Sequence, residues 1–182
     1  MLKIEVQGGE LFDPVTETFV YSKGGVLVLE HSLASLSKWE SKWKVPFLHC
    51  QQMTSEQTLD YIKCMTVTQN VDPNTYLYLS NDQMKQILDY ISDPMTATTI
   101  NEAKLKKHGG GGQLVTSELI YYWMTALNIP FECQKWHLNR LLTLIKVAAI
   151  EQDGPQKMNQ HEAMAQQHAL NMMRRAKFKS KG

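Results

Sequence analysis

The residue pair that comes closest to a known catalytic motif is His161-Glu162, which begins like the His-Glu-x-x-His motif of zinc proteases. In that motif a second histidine follows four residues after the first, so that both imidazoles face one zinc ion. Here that position is Ala165, and the next histidine, His168, lies seven residues after His161. On a helix these two would be about 10 Å apart along the axis, too far to share one ion. The segment therefore predicts no metal site.

Cys133 and His137 are spaced by four residues, which on a helix would let both contact one zinc ion or let the histidine activate the thiol. Two ligands do not complete a zinc site, and the neighbouring sequence offers no further Cys or His. We therefore interpret Cys133 as a buried thiol and His137 as a histidine held by hydrogen bonds.

The other residues that could take part in catalysis or phosphate binding lack the partner residues that a motif needs. His31, His49 and His108 have no partner at a useful spacing, and no Gly-x-Ser-x-Gly elbow is present. The four glycines at 109–112 lack the Gly-Lys-Ser/Thr ending of a phosphate-binding loop. The sequence thus predicts no enzyme, with no catalytic residue, no metal, no cofactor and no small-molecule substrate.

Composition predicts a soluble protein of the reducing cytoplasm. The chain has 182 residues, of which 43% are hydrophobic and 20% charged, enough for one domain with a core. No apolar run reaches the roughly 18 residues that a membrane span needs, and the N-terminus does not resemble a secretory signal. The three cysteines are odd in number and widely spaced, as expected of free thiols.

Residues 1–30 are predicted to form a small β element that packs on a helical body. The stretches LKIEV, TFVYS and VLVLE are rich in β-prone residues. Lys23-Gly24-Gly25 is predicted to be a tight hairpin turn, since glycine supplies positive φ, and residues 11–14 an earlier turn. A sheet this small is marginal alone and needs the helices that follow.

Residues 31–150 are predicted to form the helical core domain. Helices are expected at 31–44, 54–68 and 80–92, because apolar residues recur there at helical spacing. Their N-terminal signals are Ser32 and the capping boxes Thr54/Gln57 and Ser80/Gln83.

Residues 95–113 are interpreted as a flexible glycine-rich loop. A fourth helix starts near Thr116, with Leu119, Tyr122, Trp123, Ala126 and Leu127 as its apolar stripe, and Pro130 opens a fifth helix that ends near Ile150. Residues 151–182 are predicted to be a C-terminal helical arm with a basic tail. The fold class is therefore mainly α, with an N-terminal β-hairpin element and a C-terminal helical arm.

Large aromatic side chains are the best candidates for partner contact, because Trp and Tyr are enriched at binding hot spots. Three adjacent aromatics at 121–123 cover too wide an arc for all of them to face one core, so at least one should be exposed. For the tryptophans of the first helix, core packing and partner contact both remain open. The predicted partner-binding residues are Tyr121, Tyr122, Trp123, Phe131, Trp136 and Arg140, followed by Trp39 and Trp43.

The charge of the chain is uneven along its length. Residues 1–150 carry 13 basic and 15 acidic side chains, whereas residues 174–182 carry five basic and none acidic. A basic tail can contact nucleic acid, but an acidic body repels phosphate backbone, so nucleic-acid binding is not the favoured prediction.

Two regions carry a family resemblance. The first is LEHSLASLSKWESKWKVPFL with TLDYIKCMTVTQNVDP after it, and the second is LIYYWMTALNIPFECQKWHLNRLLTLIKV. Together they resemble, over about residues 26–150, the tail assembly chaperones of long-tailed bacteriophages.

The resemblance implies a protein of the host cell cytoplasm that coats the tape measure protein and helps recruit the major tail protein. Independently of the resemblance, the apolar helical surface predicts that the protein also associates with itself. Such chaperones are usually absent from the finished virion, and many also exist in a longer, frameshifted form. Two alternatives stay open: a structural virion protein, such as a tail terminator or head–tail connector, and a small nucleic-acid-binding regulator.

Overall fold

A computed structural model of the chain describes residues 1–13, 17–100, 114–153, 164, 167–168 and 170–174. The chain divides into two compact units, Met1–Ala149 and Ile150–Gly182. In the second unit the described residues are helical. Most of the predicted arm at 151–182 and most of the predicted glycine-rich loop at 95–113 lie outside the described residues, as do His161 and Glu162.

The described part of the chain is mainly helical and starts with one antiparallel hairpin, as predicted. The hairpin strands and the five α-helices are, in chain order, β1 Leu2–Asp13, β2 Thr18–Leu29, α1 Leu33–Trp43, α2 Ser55–Met65, α3 Asn81–Ser92, α4 Ser117–Ala126 and α5 Leu138–Asp153. Short 3-10 helices occupy Phe47–His49, Pro73–Tyr78 and Phe131–Lys135.

The predicted N-terminal caps of the first three helices are confirmed. The Ser32 hydroxyl accepts the backbone N–H of Ser35. The reciprocal capping boxes form at Thr54/Gln57 and at Ser80/Gln83. These caps satisfy backbone donors that a helix start otherwise leaves without partners.

The predicted turn at Lys23-Gly24-Gly25 is wrong. Residues 18–29 form one strand, which pairs antiparallel with β1 from Leu2 and Leu29 to Asp13 and Thr18, apart from a break at Gly8 and Lys23. Gly24 has a φ of 68° inside the strand. A Cβ atom there would lie 2.4 Å from the carbonyl oxygen of Val6. Glycine is therefore required here because the two strands approach closely. Glycine with positive φ is equally typical of a tight turn, which is why the sequence pattern predicted a turn at this position.

The two halves of the hairpin bury different faces. Near the chain start, Ile4 and Leu27 are sealed in the core. Nearer the turn, Ser22 is buried, and its hydroxyl lies 3.0 Å from that of Thr75. Because side chains alternate along paired strands, Ile4 and Leu27 belong to one face of the register and Ser22 to the other. The face that is buried near the chain start therefore looks toward solvent near the turn.

Among the described residues, two hydrophobic clusters form the core, and α1 contributes to both. Trp39 packs with the hairpin, α2 and α3, whereas Leu33 and Leu36 pack with α4 and α5. The first helix therefore holds the hairpin side of the first unit to the α4–α5 side.

The predicted start of the fifth helix at Pro130 is also wrong. Residues 131–135 form a 3-10 helix, and α5 begins at Leu138. The backbone N–H of Leu138 donates to the carbonyl of His31 at 2.7 Å, and His137 pairs with Ser32 as an isolated β-bridge. This pairing holds the residues before Leu138 in an extended conformation, so the helix starts only after them.

The apolar stripe predicted for α4 is partly wrong. Ile120 and Met124 are the fully buried apolar residues of this helix, and Tyr122 points to solvent. Trp123 and Leu127 are half-buried and pack against the second cluster.

Candidate protein-binding surfaces

The predicted aromatic residues of the α4–α5 segment include a packed pair at Tyr121 and Phe131. Tyr121 is half-buried on α4, and its hydroxyl donates to the side-chain oxygen of Gln134 at 2.8 Å. The ring of the exposed Phe131 stacks on Tyr121 with centroids 6.3 Å apart. The hydrogen bond to Gln134 fixes the tyrosine ring, which in turn supports the phenylalanine. Phe131 is thus an exposed apolar side chain held in place.

A second packed pair lies at the junction of the 3-10 helix and α5. The guanidinium of Arg140 lies 4.5 Å from the ring centroid of Trp136, and both side chains are exposed. Such cation–π contact keeps a large ring ordered at the surface and leaves the cation available to an acidic partner group. Tyr122, 66% exposed, is the most open of the predicted aromatics. Below, the name "aromatic residues of α4–α5" denotes the aromatic side chains on α4 and on the connection to α5, together with the arginine that packs on one of them: Tyr121, Tyr122, Phe131, Trp136 and Arg140.

The two tryptophans of α1 lie in different environments. Trp39 is fully buried, and its indole N–H donates to the carbonyl of Gln57 at 3.0 Å. It offers no surface to a partner, so its prediction as a contact residue is wrong; its stripe position already favoured the core. Trp43 is half-buried, with its indole N–H donating to Asp60 at 2.9 Å.

An apolar groove between α2 and α3 was not predicted. It consists of two cavities of about 420 and 310 Å³ that share the side chains of Met53, Thr58 and Met84. The walls also include Leu88 and Ile91 of α3. The helical periodicity of both helices was visible in the sequence, but their separation was not, because it depends on the angle at which they pack. We call this feature the methionine groove.

The end of the hairpin near its turn carries exposed aromatics that were also missed. Phe12 and Phe19 face each other across the strands, with ring centroids 5.3 Å apart. Phe19 is 71% exposed, and Tyr21 and Leu11 are exposed as well. The sequence analysis placed Phe12 in a turn at residues 11–14 and the hairpin turn at Lys23-Gly24-Gly25, so it did not predict that Phe12 pairs with Phe19. The alternation Phe19, Tyr21 was the signal that could have revealed it.

The fold brings together two histidines that the sequence showed as unrelated. The rings of His31 and His137 are 5.0 Å apart, and both are buried. His31 Nδ1 lies 2.6 Å from the Tyr61 hydroxyl, and His137 Nε2 donates to the carbonyl of Tyr90 at 3.0 Å. Burial, and then the neighbouring His137, lower the pKa of His31 to about 3. His31 is therefore neutral at ordinary pH.

Cys133 is buried, as expected of a free thiol. The Nδ1 atom of His137, four residues on, is buried without a hydrogen-bond partner among the described residues. Within that described part, no three His, Cys, Asp or Glu side chains gather closely enough to hold a metal ion. No helix there has the length and apolar character to cross a membrane.

Comparison of the chain with protein-family models, with curated proteins and with solved structures found no match. The function must therefore be argued from the surfaces themselves.

Proposed function

We propose that this protein is a non-enzymatic assembly chaperone that binds an apolar helical segment of another protein. The observation that carries the proposal is the set of ordered, exposed aromatic residues of α4–α5. The ring of Phe131 stacks on Tyr121, and the ring of Trp136 contacts the Arg140 guanidinium. Tyr122, next to Tyr121 in the chain, is exposed to solvent. Rings that are already held in place lose little side-chain entropy when a partner covers them, which favours binding.

The methionine groove supports the same function. A groove between two helices accepts the apolar face of a third helix, a recurrent mode of peptide recognition. Methionine is unbranched and polarizable, so Met53 and Met84 can repack around different side chains. A chaperone that must follow a long helix with a varying apolar stripe needs such adaptable walls.

The identity of the partner rests on the resemblance to phage tail assembly chaperones. On that basis the bound helix is the tape measure protein, the major tail protein is recruited to the complex, and the protein acts in the cytoplasm of the infected cell. The tape measure protein is long and helical and would aggregate if its apolar surface stayed uncovered, so a chaperone with exposed aromatic side chains can keep it soluble.

The test is co-expression with a fragment of the tape measure protein from the same genome. The soluble fraction of the fragment is measured with the wild-type chain and with the double variant Tyr122→Ser, Trp136→Ser. The variant is expected to lose most of the solubilising effect. Val67→Ser is the matched control, because Val67 is also exposed but lies in the chain segment that connects α2 to α3, outside the lining of the methionine groove and outside α4 and α5.

A fragment that stays equally soluble with the double variant would show that these aromatics do not bind it. Mass spectrometry of purified particles separates the chaperone from a structural virion protein. A chaperone is absent or rare in mature particles, whereas a tail terminator or connector is present in a fixed copy number.

A further inference from the structure

The hairpin tip, residues 9–22, is an apolar surface that the first unit leaves uncovered. Phe12, Phe19 and Tyr21 belong to the same face of the strand pair, because Phe12 pairs directly with Phe19 and Tyr21 follows two residues later. The opposite face packs on the 3-10 helix at 73–78, where the Tyr78 hydroxyl donates to the carbonyl of Gly9 at 2.8 Å. The aromatic face is therefore held rigidly while it points to solvent, which is typical of a binding surface.

Acidic side chains outnumber basic ones at the hairpin tip. Residues 9–22 contain Glu10, Asp13 and Glu17 and no Lys, Arg or His, and the next residue, Lys23, is an exposed cation. Glu10 pairs with Tyr21 across the strands, so an acidic group lies beside the exposed rings. An acidic group beside exposed rings favours a partner that is both apolar and basic.

The second unit of the same chain has the complementary character. Leu170, Met172 and Met173 are exposed, Met173 to 72%. The next residue is Arg174, which opens the stretch 174–182 with five basic side chains and no acidic one. Apolar side chains directly before a basic run form the kind of segment that an acidic aromatic surface binds.

We propose that the hairpin tip of one copy binds the segment that begins at Leu170 in a second copy. Since each copy carries both of these unlike surfaces, the contact is heterologous and can repeat from copy to copy. The product is an open chain or a ring of copies joined head to tail. This contact does not depend on the proposed function, because neither surface includes the aromatic residues of α4–α5 or the methionine groove.

The test uses full-length chains with reversed charges, which keep the apolar residues and the fold. One variant carries Glu10→Lys and Glu17→Lys in the hairpin tip, and the other carries Arg174→Glu, Lys177→Glu and Lys179→Glu. Sedimentation equilibrium over a range of concentrations measures association at low and high salt. We expect the wild type to form species larger than a dimer, more weakly at high salt. Each variant alone should associate at least about tenfold more weakly.

Mixing the two variants is the decisive measurement. The tip-reversed variant still has a native basic segment, and the other still has a native hairpin tip, so these two surfaces should join in an equimolar mixture. The reversed tip and the reversed segment also carry opposite charges, so the mixture should recover the association that each variant alone has lost. A mixture that stays monomeric would overturn the proposal, and so would a monomeric wild type at about 100 µM, well above the Kd of a typical specific contact. Phe19→Ser in the wild-type background supplies an independent check, because it removes apolar contact without changing charge, and unaltered association of that variant would equally overturn the proposal.

Discussion

The carboxylate of Glu40 accepts a hydrogen bond from the backbone N–H of Ser117 at 2.7 Å, which joins α1 to the first residue of α4. Its other oxygen accepts the backbone N–H of Phe47 at 2.8 Å. Thr116, the N-cap residue of α4, makes no side-chain cap of its own. The buried carboxylate of Glu40 on α1 therefore caps the N-terminus of α4. A negative charge is favourable there because the N-terminal end of the helix dipole is positive.

Replacing Glu40 is expected to destabilise the first unit. Glu40→Ala leaves the N–H groups of Phe47 and Ser117 without their acceptor, which should cost about 2–4 kcal/mol of unfolding free energy. Glu40→Gln keeps one acceptor oxygen and should cost less. Urea denaturation followed by tryptophan fluorescence measures both, and equal losses for the two variants would contradict the capping role.

The His31–His137 pair predicts a loss of stability in mild acid. The pKa of His31 is about 3 in the folded chain, below its ordinary value of 6.5, because burial and His137 disfavour the charged ring. The unfolded chain therefore binds a proton that the folded chain does not, between these two values. Stability contributed by neutral His31 is complete above pH 6.5 and falls as the pH drops toward 3, by about 1 kcal/mol per pH unit.

Unfolding free energies measured by urea denaturation at several pH values between 7 and 4 test this expectation. His31→Phe cannot titrate and should show a smaller slope in the same window, even if its stability at pH 7 is lower because the contact with Tyr61 is lost. His168→Phe is the matched control, since His168 is exposed. A slope that is unchanged by His31→Phe would assign the acid sensitivity to other groups.

Gly24 is expected to be the least replaceable residue of the hairpin. Its φ of 68° is unfavourable for an L side chain, and a Cβ atom would lie 2.4 Å from the backbone nitrogen of Gly8. Gly24→Ala should therefore cost about 2 kcal/mol or more. Gly9→Ala is the control, because a Cβ there meets only the Tyr78 ring at 3.4 Å. Thermal unfolding compares the two, and equal costs would contradict the close approach of the strands.

The sequence was sufficient for elements whose signals are local. The caps at Ser32, Thr54 and Ser80 depend on a few neighbouring residues, and they were predicted correctly. Gly24 shows the limit of such signals, because positive φ occurs both in tight turns and where strands approach closely. Only the pairing of β1 with β2, which joins residues far apart in the chain, distinguishes the two.

The candidate surfaces divide in the same way. The exposure of Tyr122 followed from a local argument, since three adjacent aromatics cannot all face one core. Residue spacing in the sequence does not predict the features that depend on how elements pack, which are the methionine groove, the His31–His137 contact and the hairpin tip. Trp39 shows the converse case, in which helical periodicity correctly suggests burial but does not exclude a binding role until the packing is known.

The methionine groove can be tested separately from the aromatic residues of α4–α5. Leu88→Lys places a charge in the groove wall, and it should leave stability nearly unchanged because Leu88 is 54% exposed. If the groove binds an apolar helix, the charge must be desolvated in the complex, which should weaken binding at least about tenfold. Fluorescence anisotropy of a labelled tape measure peptide measures the Kd, with Val67→Lys as the control outside the groove. Equal Kd values for the two variants would leave the aromatic residues of α4–α5 as the binding surface.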